Sequence, residues 1–489
     1  KMSKVIIIGS GMGGLVAGNL LAKKGHKVTI FESHNMPGGY VAGFWKNGYY
    51  FESGTFSFEA SYLVFKVMKD IGVFDKIDFV RQKIQFKSKD FDGVLENFRD
   101  FKNMLYEAYA QDKERLDRYF AEVGKMYEGM IPFIDQSGLL AKISGGFKTL
   151  MAYSKYKKTT ISEFTAKFFS QDSELYRLLV GLGYPEMAAW ILGGAMVSIF
   201  SDYWTVKGGM QSWADVLADN FKKSGGELKL NAYVDKIITK NGKATGVACK
   251  GNIFEADQVI AAGDYKQTFL KLLDNQALIA DGMKKRIEQA AVSEGMVMVY
   301  LGLKISNEEL SKHIKVYHAW YFDEKPGADR DNPNDESFFE KTSLSLYSPS
   351  LLNGKLAPEG KSSLMIAAVA PNGWMNNWGN GDKNKYRELK EKVKKTLMAK
   401  AAAIVPGLQD MIEYEDAATP LTYERYTHNT LGATSAWSWN PQKKFYKTIM
   451  GSQINTPVKN LYIGSCWASQ IGGVPGAIAA ALKCAKKIK

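Results

Sequence analysis

Cysteine is scarce in this chain. Of 489 residues only Cys249, Cys466 and Cys484 are cysteines, too few and too far apart for a disulfide framework or a thiolate metal site. A reducing compartment fits best, and no metal centre is expected. Long apolar runs are missing too. The longest, Met187 to Phe200, is fourteen residues and holds Gly193, Gly194 and Ser198. That is short of the ~20 residues needed to span a bilayer, so a buried helix is expected there. Acidic residues are in deficit: 51 against 64 basic ones leave a formal charge of +13. The excess gathers at Lys155, Lys157 and Lys158, between Lys390 and Lys395, and between Lys486 and Lys489. No nucleic-acid motif accompanies it, so nucleic acid is not an expected partner. Two readings stay open, a solvated lysine-rich face and peripheral contact with an anionic membrane surface. Glu388 and Glu391, interleaved in the middle cluster, favour the first there. No secretory leader is expected, since the N-terminus reads as the first strand of the fold, and the expected location is cytoplasmic, with the membrane surface as an alternative.

Glycine and apolar patterning supply what these absences leave. Lys4 to Ile8 is a short apolar strand, followed at once by Gly9-Ser10-Gly11-Met12-Gly13-Gly14. A helical pattern from Leu15 to Lys24 comes next, then a second strand from Lys27 to Phe31 that ends on Glu32. Strand, G-x-G-x-x-G turn, helix, strand and acidic residue make a dinucleotide fingerprint. Gly9 allows the tight turn, Gly11 lets backbone approach a pyrophosphate, and Gly14 lets the helix sit close to the strand. The helix N-terminus offers free N–H groups to phosphate, and Glu32 can accept hydrogen bonds from ribose hydroxyls.

Beyond Glu32 the chain runs Ser33-His34-Asn35-Met36-Pro37-Gly38-Gly39, a second close backbone approach. With Gly48-Tyr49-Tyr50-Phe51-Glu52-Ser53-Gly54-Thr55, it resembles the flavoprotein superfamily in which a strand-two Glu and a following Gly-Gly bind FAD. Near the C-terminus Asn460 to Gly464 reads as a strand, and Gly472-Gly473-Val474-Pro475-Gly476 opens an alanine-rich helix. Such a helix start can stabilise an anionic reduced flavin. Relatives often carry an acidic residue after that strand; here Ser465-Cys466 stands in its place, so the contact would come from backbone. The cofactor-binding residues implied are Gly9, Gly11, Met12, Gly13, Gly14, Glu32, Ser33, Gly38 and Gly39. To these the resemblance adds Val234, whose backbone would meet adenine, and Gly263, Gly464, Ser465, Gly473 and Val474.

Between these ends the pattern turns to amphipathic helices over Tyr62 to Ile71, Phe101 to Ala110, Arg115 to Tyr127, Leu175 to Leu182 and Ser212 to Ser224. Strands are expected at Glu227 to Leu230, Tyr233 to Thr239, Ala244 to Cys249 and Gln258 to Gly263, with a type I′ hairpin turn at Asn241-Gly242. Further strands are expected at Val297 to Leu303, Ser343 to Ser348 and Ser363 to Val369, while the polar stretch 323–340 reads as an exposed excursion. The expected fold class is α/β: a Rossmann-like FAD-binding domain from residues 1–60, 205–268 and 415–489, and an α+β substrate domain, a sheet with a helical cap, from 61–204 and 269–414. There is no second dinucleotide motif, so electrons would pass to or from an external donor or acceptor.

The run Thr419-Pro420-Leu421-Thr422-Tyr423-Glu424-Arg425-Tyr426-Thr427, with Lys207-Gly208-Gly209 and the C-terminal glycine turn, resembles the phytoene desaturase, carotenoid isomerase and retinol saturase group. That resemblance implies a lipophilic polyene or unsaturated lipid-like substrate, held by the aromatic and methionine side chains the chain has in quantity (26 Phe, 25 Tyr, 10 Trp, 19 Met). It implies desaturation, saturation or cis/trans isomerisation by hydride exchange at flavin N5, with a proton moving at the neighbouring carbon. Glu52, Tyr423 and Glu424 are the candidate catalytic groups, with Tyr426 and His428 behind them. Two other readings share the scaffold: a flavin amine oxidase or protoporphyrinogen-oxidase-like enzyme, and a non-catalytic binder of the Rab GDP-dissociation-inhibitor type.

Overall fold

The computed structural model describes residues 2–88, 91–131, 138–182, 185–322, 332–447 and 451–489. Its centre is a five-stranded sheet, parallel throughout, in the order Leu461–Ile463, Gln258–Ala261, Lys4–Ile8, Lys27–Phe31, Glu227–Lys229. Val5, Ile7, Ile30, Ile260 and Ile463 are all fully buried, as expected for strands covered on both faces. Helices Met12–Lys23, Met210–Lys223 and Gly473–Lys487 cover the sheet. Beside it, Lys236–Lys240, Lys243–Cys249 and Asn252–Glu255 form an antiparallel meander. Asn241 (φ 51°) and Gly242 (φ 73°) make the expected hairpin turn. The strand expected from Tyr233 begins only at Lys236. Residues before it are drawn instead to the end of the second strand, where the Ala232 amide donates to the Glu32 carbonyl (2.7 Å).

The second layer is a seven-stranded sheet in the order Ile412–Ala418, Gly295–Leu303, Ser362–Ala370, Leu344–Tyr347, His318–Tyr321, Ile84–Lys87, Asp92–Leu95. Alternation along Gly295–Leu303 divides its two faces. Val297, Val299 and Leu301 pack under helix Lys383–Ala402, while Met298 and Tyr300 face the strand Tyr49–Glu52. A helical cap with its own core comprises Phe98–Ala108, Lys113–Tyr127, Leu139–Tyr156, Ile161–Thr165, Glu174–Gly181 and Leu192–Ser201. Within the apolar run at 187–200 the α-helix begins only at Leu192 and packs one side into this core: Leu192, Gly193, Met196 and Phe200 are buried, and a Cβ on Gly193 would come within 2.6 Å of the Val123 carbonyl oxygen.

Residues 323–331 of the polar excursion lie outside the described residues, but Phe338 and Phe339 beyond them are buried against Trp374 and Trp378. Helix Ser61–Ile71 and the segment 269–292 pack into the core around the parallel sheet, so in a two-domain division we propose that they side with the dinucleotide-binding part.

Candidate functional site

Two glycine turns, more than four hundred residues apart in sequence, meet back to back. Gly9 takes φ +100°, and Gly11, in ordinary extended geometry, opens helix Met12–Lys23 with no side-chain cap and no acidic residue in its first turn. The first-turn amides and the positive end of the helix dipole are therefore left for an anion. A Cβ on Gly13 would lie 2.0 Å from the Gly464 carbonyl oxygen, and one on Gly14 would lie 2.0 Å from that of Gly9. At Gly11 and Gly263 a Cβ would meet nothing within 4 Å. Two of these glycines thus keep backbone against backbone, and two keep space open beside the cradle. Gly38 and Gly39 (φ 124° and 60°) rest on the same turn, with the Gly38 amide donating to the Ser10 carbonyl at 2.9 Å.

Glu32 is buried at the tip of the second strand. Its Oε2 accepts from the Ser10 amide (2.7 Å) and hydroxyl (2.8 Å), and its Oε1 from the His34 amide (2.8 Å) and the Ser33 hydroxyl (3.1 Å). A carboxylate accepts about four such bonds, so ribose hydroxyls would take the places of the two serine hydroxyls, which can rotate away. Val234 is buried nearby in the extended segment that leaves Glu32. On the opposite side the Gly464 amide donates to the Ala261 carbonyl (2.8 Å), and the Ser465 hydroxyl donates to the Gly263 carbonyl (2.7 Å). Ser465 thereby ties the two turns together. Helix Gly473–Lys487, which carries Val474 in its first turn, also starts uncapped, after Gly472 and Gly473 at φ near +70°.

Glu59, which gave no sequence signal beyond being a charge in an apolar run, lies at this second helix start: its Oε1 is 3.7 Å from where a Gly473 Cβ would stand. Burial raises its pKa, and Asp202 beside it adds to the shift. Asp202 itself is held by the Ser61 amide (3.1 Å) and the Trp204 indole N–H (2.9 Å).

An aromatic seam separates the cradle from the seven-stranded sheet. Tyr49, Phe51, Phe56, Tyr300, Tyr317, Tyr347 and Tyr423 are buried in it, with Tyr40 stacked on Tyr423 at 5.6 Å. Among the described residues the Tyr423 hydroxyl has no hydrogen-bond partner. Burial raises its pKa well above the ordinary phenol value, and nearby Tyr300 raises it further. His318, stacked on Tyr347 at 4.4 Å, is likewise unpartnered at both ring nitrogens; burial pushes its pKa down to about 3, so the ring is neutral. Glu52 is fully buried and already engaged, accepting from the Tyr50 hydroxyl (2.7 Å) and from the Met210 amide (3.0 Å) at the start of helix Met210–Lys223. Burial lifts its carboxyl to about 8, against the pull of those two bonds.

The other candidates fall elsewhere. Glu424 accepts from the Leu431 amide (3.3 Å), and Arg425 lies over the Tyr426 ring. Tyr426 packs on His34 (5.4 Å) and His428 on Tyr233 (5.0 Å), which puts both beside the Glu32 end of the cradle and apart from Tyr423. Of the sequence candidates, the structure therefore brings Tyr423 into the seam with a free hydroxyl and Glu52 with a satisfied carboxyl.

Comparison with known proteins agrees with this geometry. The profile of a family described as flavin containing amine oxidoreductase matches residues 12–489. A 4,4'-diapophytoene desaturase (4,4'-diapolycopene-forming) of Methylomonas sp is 27% identical over 483 residues, covering 90% of this chain and 88% of its own. An all-trans-retinol 13,14-reductase of Danio rerio is 25% identical, covering 99% and 85%. Among solved structures, an oxidoreductase of Methanosarcina mazei superposes with a TM-score of 0.66 at 15% identity over 98% of this chain and 99% of its own. Putrescine oxidase bound to putrescine gives 0.63 at 14%, covering 100% and 99%.

Proposed function

Because the chain belongs to the flavin containing amine oxidoreductase family, we propose that it is an FAD-dependent oxidoreductase acting on carbon-carbon double bonds of a lipophilic polyene or related unsaturated lipid. The observation that carries the reading is the aromatic seam beside the cradle, whose unpartnered polar groups among the described residues are uncharged: the Tyr423 hydroxyl, the His318 ring and, next to Phe56, the Ser57 hydroxyl. Full-length likeness to a diapophytoene desaturase and a retinol reductase supports it. A substrate with few polar handles would be bound there by buried area.

The cradle residues fit FAD. Uncapped amides of helix Met12–Lys23, beside the open space at Gly11, would take the pyrophosphate, Glu32 would hold the ribose end, and the start of helix Gly473–Lys487 would serve the ring. Bound FAD supplies hydride exchange at N5 with an alkene carbon. The chain must then give or take a proton at the adjacent carbon, and two groups suit that task. Glu59, its pKa raised by burial and by Asp202, would hold or release a proton at the Gly473 turn. Tyr423, beside Tyr300, would offer its O–H from the aromatic seam. The seam itself excludes water, so the proton passes between these groups and substrate.

Anaerobically reduced, FAD-loaded protein should be reoxidised, followed at the flavin absorbance band, by one of a panel of polyenes, unsaturated fatty acids and enones. A cis/trans change without reoxidation would assign an isomerase within the same reading. Peroxide release with putrescine and other amines, and no response to any alkene, would sink the proposal in favour of an amine oxidase.

A further inference from the structure

The helix Leu139–Tyr156 presents its apolar side to solvent. Leu139, Leu140, Ile143, Phe147, Leu150 and Met151 are 74%, 83%, 61%, 64%, 61% and 58% exposed, while Gly145, Ala152 and Tyr156 form the buried side. At ~100° per residue, the six exposed side chains all fall within about 60° of the direction opposite Gly145. Close packing fixes that orientation: a Cβ on Gly129 would meet the Gly145 carbonyl oxygen at 2.5 Å. An ordinary surface helix turns such a stripe inward. Here it is the outermost surface, and apolar patches of this kind mark a binding face.

Charge says what the face fits. Lys142 flanks the stripe on one side and Lys148 on the other, Lys157 and Lys158 follow the helix, and no acidic residue occurs from Gly138 to Ser162. Lys148 lies 3.6 Å from Glu128 and Lys155 is tied to Glu122 at 2.8 Å, so among the described residues Lys142, Lys157 and Lys158 carry the unpaired charge here. Apolar side chains ringed by lysines whose stems can reach outward suit the headgroup region of an anionic bilayer. Among the described residues no helix is long and apolar enough to cross a membrane, so such contact would be in-plane.

On the inner side of the same helix, Tyr153, Trp190, Ile191, Trp439 and Ile471 close around a crevice of only about 20 Å³, so the stripe is backed by packed aromatic side chains. The Trp439 indole N–H donates to the Ile471 carbonyl at 2.8 Å, and Trp190 meets Tyr153 edge-on at 5.5 Å. We propose that the outward stripe of helix Leu139–Tyr156 seats this protein on an anionic lipid surface. The seating stands on the geometry of the face.

The FAD-loaded full chain would be co-sedimented with phosphatidylcholine vesicles, with and without one quarter phosphatidylglycerol. Binding should be about tenfold or more stronger to the anionic vesicles and should weaken with salt. The quadruple variant Leu140→Ser, Ile143→Ser, Phe147→Ser, Met151→Ser should bind at least about 100-fold less while keeping its flavin and its unfolding midpoint, since all four side chains are already in water. Parent protein that binds neither vesicle, or a folded variant that binds as the parent does, would overturn the proposal. A parent that ignores vesicles and elutes as a dimer, and a variant that elutes as a monomer, would instead assign the face to a second copy of this chain. Vesicle binding by a protein that oxidises amines and no alkene would leave the seating in place.

Discussion

Replacing Gly11 by alanine should cost the protein its flavin and leave its fold intact, whereas the same change three residues later at Gly14 should cost both. Gly11 sits at φ −65° and ψ 179°, open to any L-residue, and its added methyl would meet nothing within 4 Å. Alanine at a helix N-cap loses about 0.5–1 kcal/mol relative to a better cap, and reduced freedom of the unfolded chain returns about 0.4–1 kcal/mol. The net effect on stability is close to zero. The methyl does, however, fill the space the cradle keeps for a pyrophosphate. At Gly14 the methyl carbon would stand 2.0 Å from the Gly9 carbonyl oxygen, against the 3.4 Å at which ordinary contact begins. Both sides of that contact are backbone, so relief means moving the helix off the strand, at about 1–3 kcal/mol or more. Urea unfolding of flavin-free protein and titration of FAD by fluorescence quenching separate the two effects. Gly11→Ala should keep the parent midpoint while its FAD dissociation constant rises at least about 100-fold, or about 2.8 kcal/mol. Gly14→Ala should lower the midpoint and fail to bind. Normal flavin affinity in Gly11→Ala, or a midpoint as low as that of Gly14→Ala, would refute the assignment of open space and packed contact to these two positions.

Glu52 predicts a pH dependence of stability. Its folded pKa of about 8 lies above the usual 4.5, so its contribution is whole below about pH 4.5 and is lost as pH rises through 8, at up to about 1.4 kcal/mol per unit. Glu52→Gln keeps the neutral shape, and its thermal midpoint should fall less steeply than the parent's between pH 5 and 8; parallel slopes would remove Glu52 as the cause. Tyr423→Phe gives up a hydroxyl with no partner, so stability should hold within about 1 kcal/mol, and turnover should drop by about 100-fold if that hydroxyl moves the proton. Undiminished turnover would leave it a wall residue. Glu59→Gln should lower turnover without changing FAD affinity and should flatten the pH–rate profile, whereas an unchanged profile would take Glu59 out of the chemistry.

The cradle was readable because its instructions are local. Gly9 to Gly14 and Asn241-Gly242 specify geometry within a few residues: Gly9, Asn241 and Gly242 take positive φ, and the helix opens directly after Gly11. Contacts made across the chain were not readable. Nothing near Glu32 signals that Ser10 would occupy two of its four acceptor positions, nor does the spacing around Glu52 announce that helix Met210–Lys223 would claim its carboxyl. Tyr426 and His428 share a helix end with Tyr423, yet one turn of helix carries them to the opposite end of the cradle. Glu59 matters only because Gly473, four hundred residues on, arrives beside it. Helix Leu139–Tyr156 escaped notice for a related reason. Hydrophobic periodicity announces a face to be buried, and this stripe is not.

The strand Leu461–Ile463 that edges the parallel sheet, and the helix that follows it, have a consequence for synthesis. A chain emerging N-terminus first displays Lys4–Ile8, Lys27–Phe31 and Gln258–Ala261 long before Leu461–Ile463 can pair with the last of them. Until then the edge of Gln258–Ala261 is open, and Gly13 has no Gly464 to rest against. The cofactor can therefore act as a late lock. Ribosome-bound chains halted before Leu461 should stay sensitive to protease in the presence of FAD, and full-length chains should gain protection on adding it.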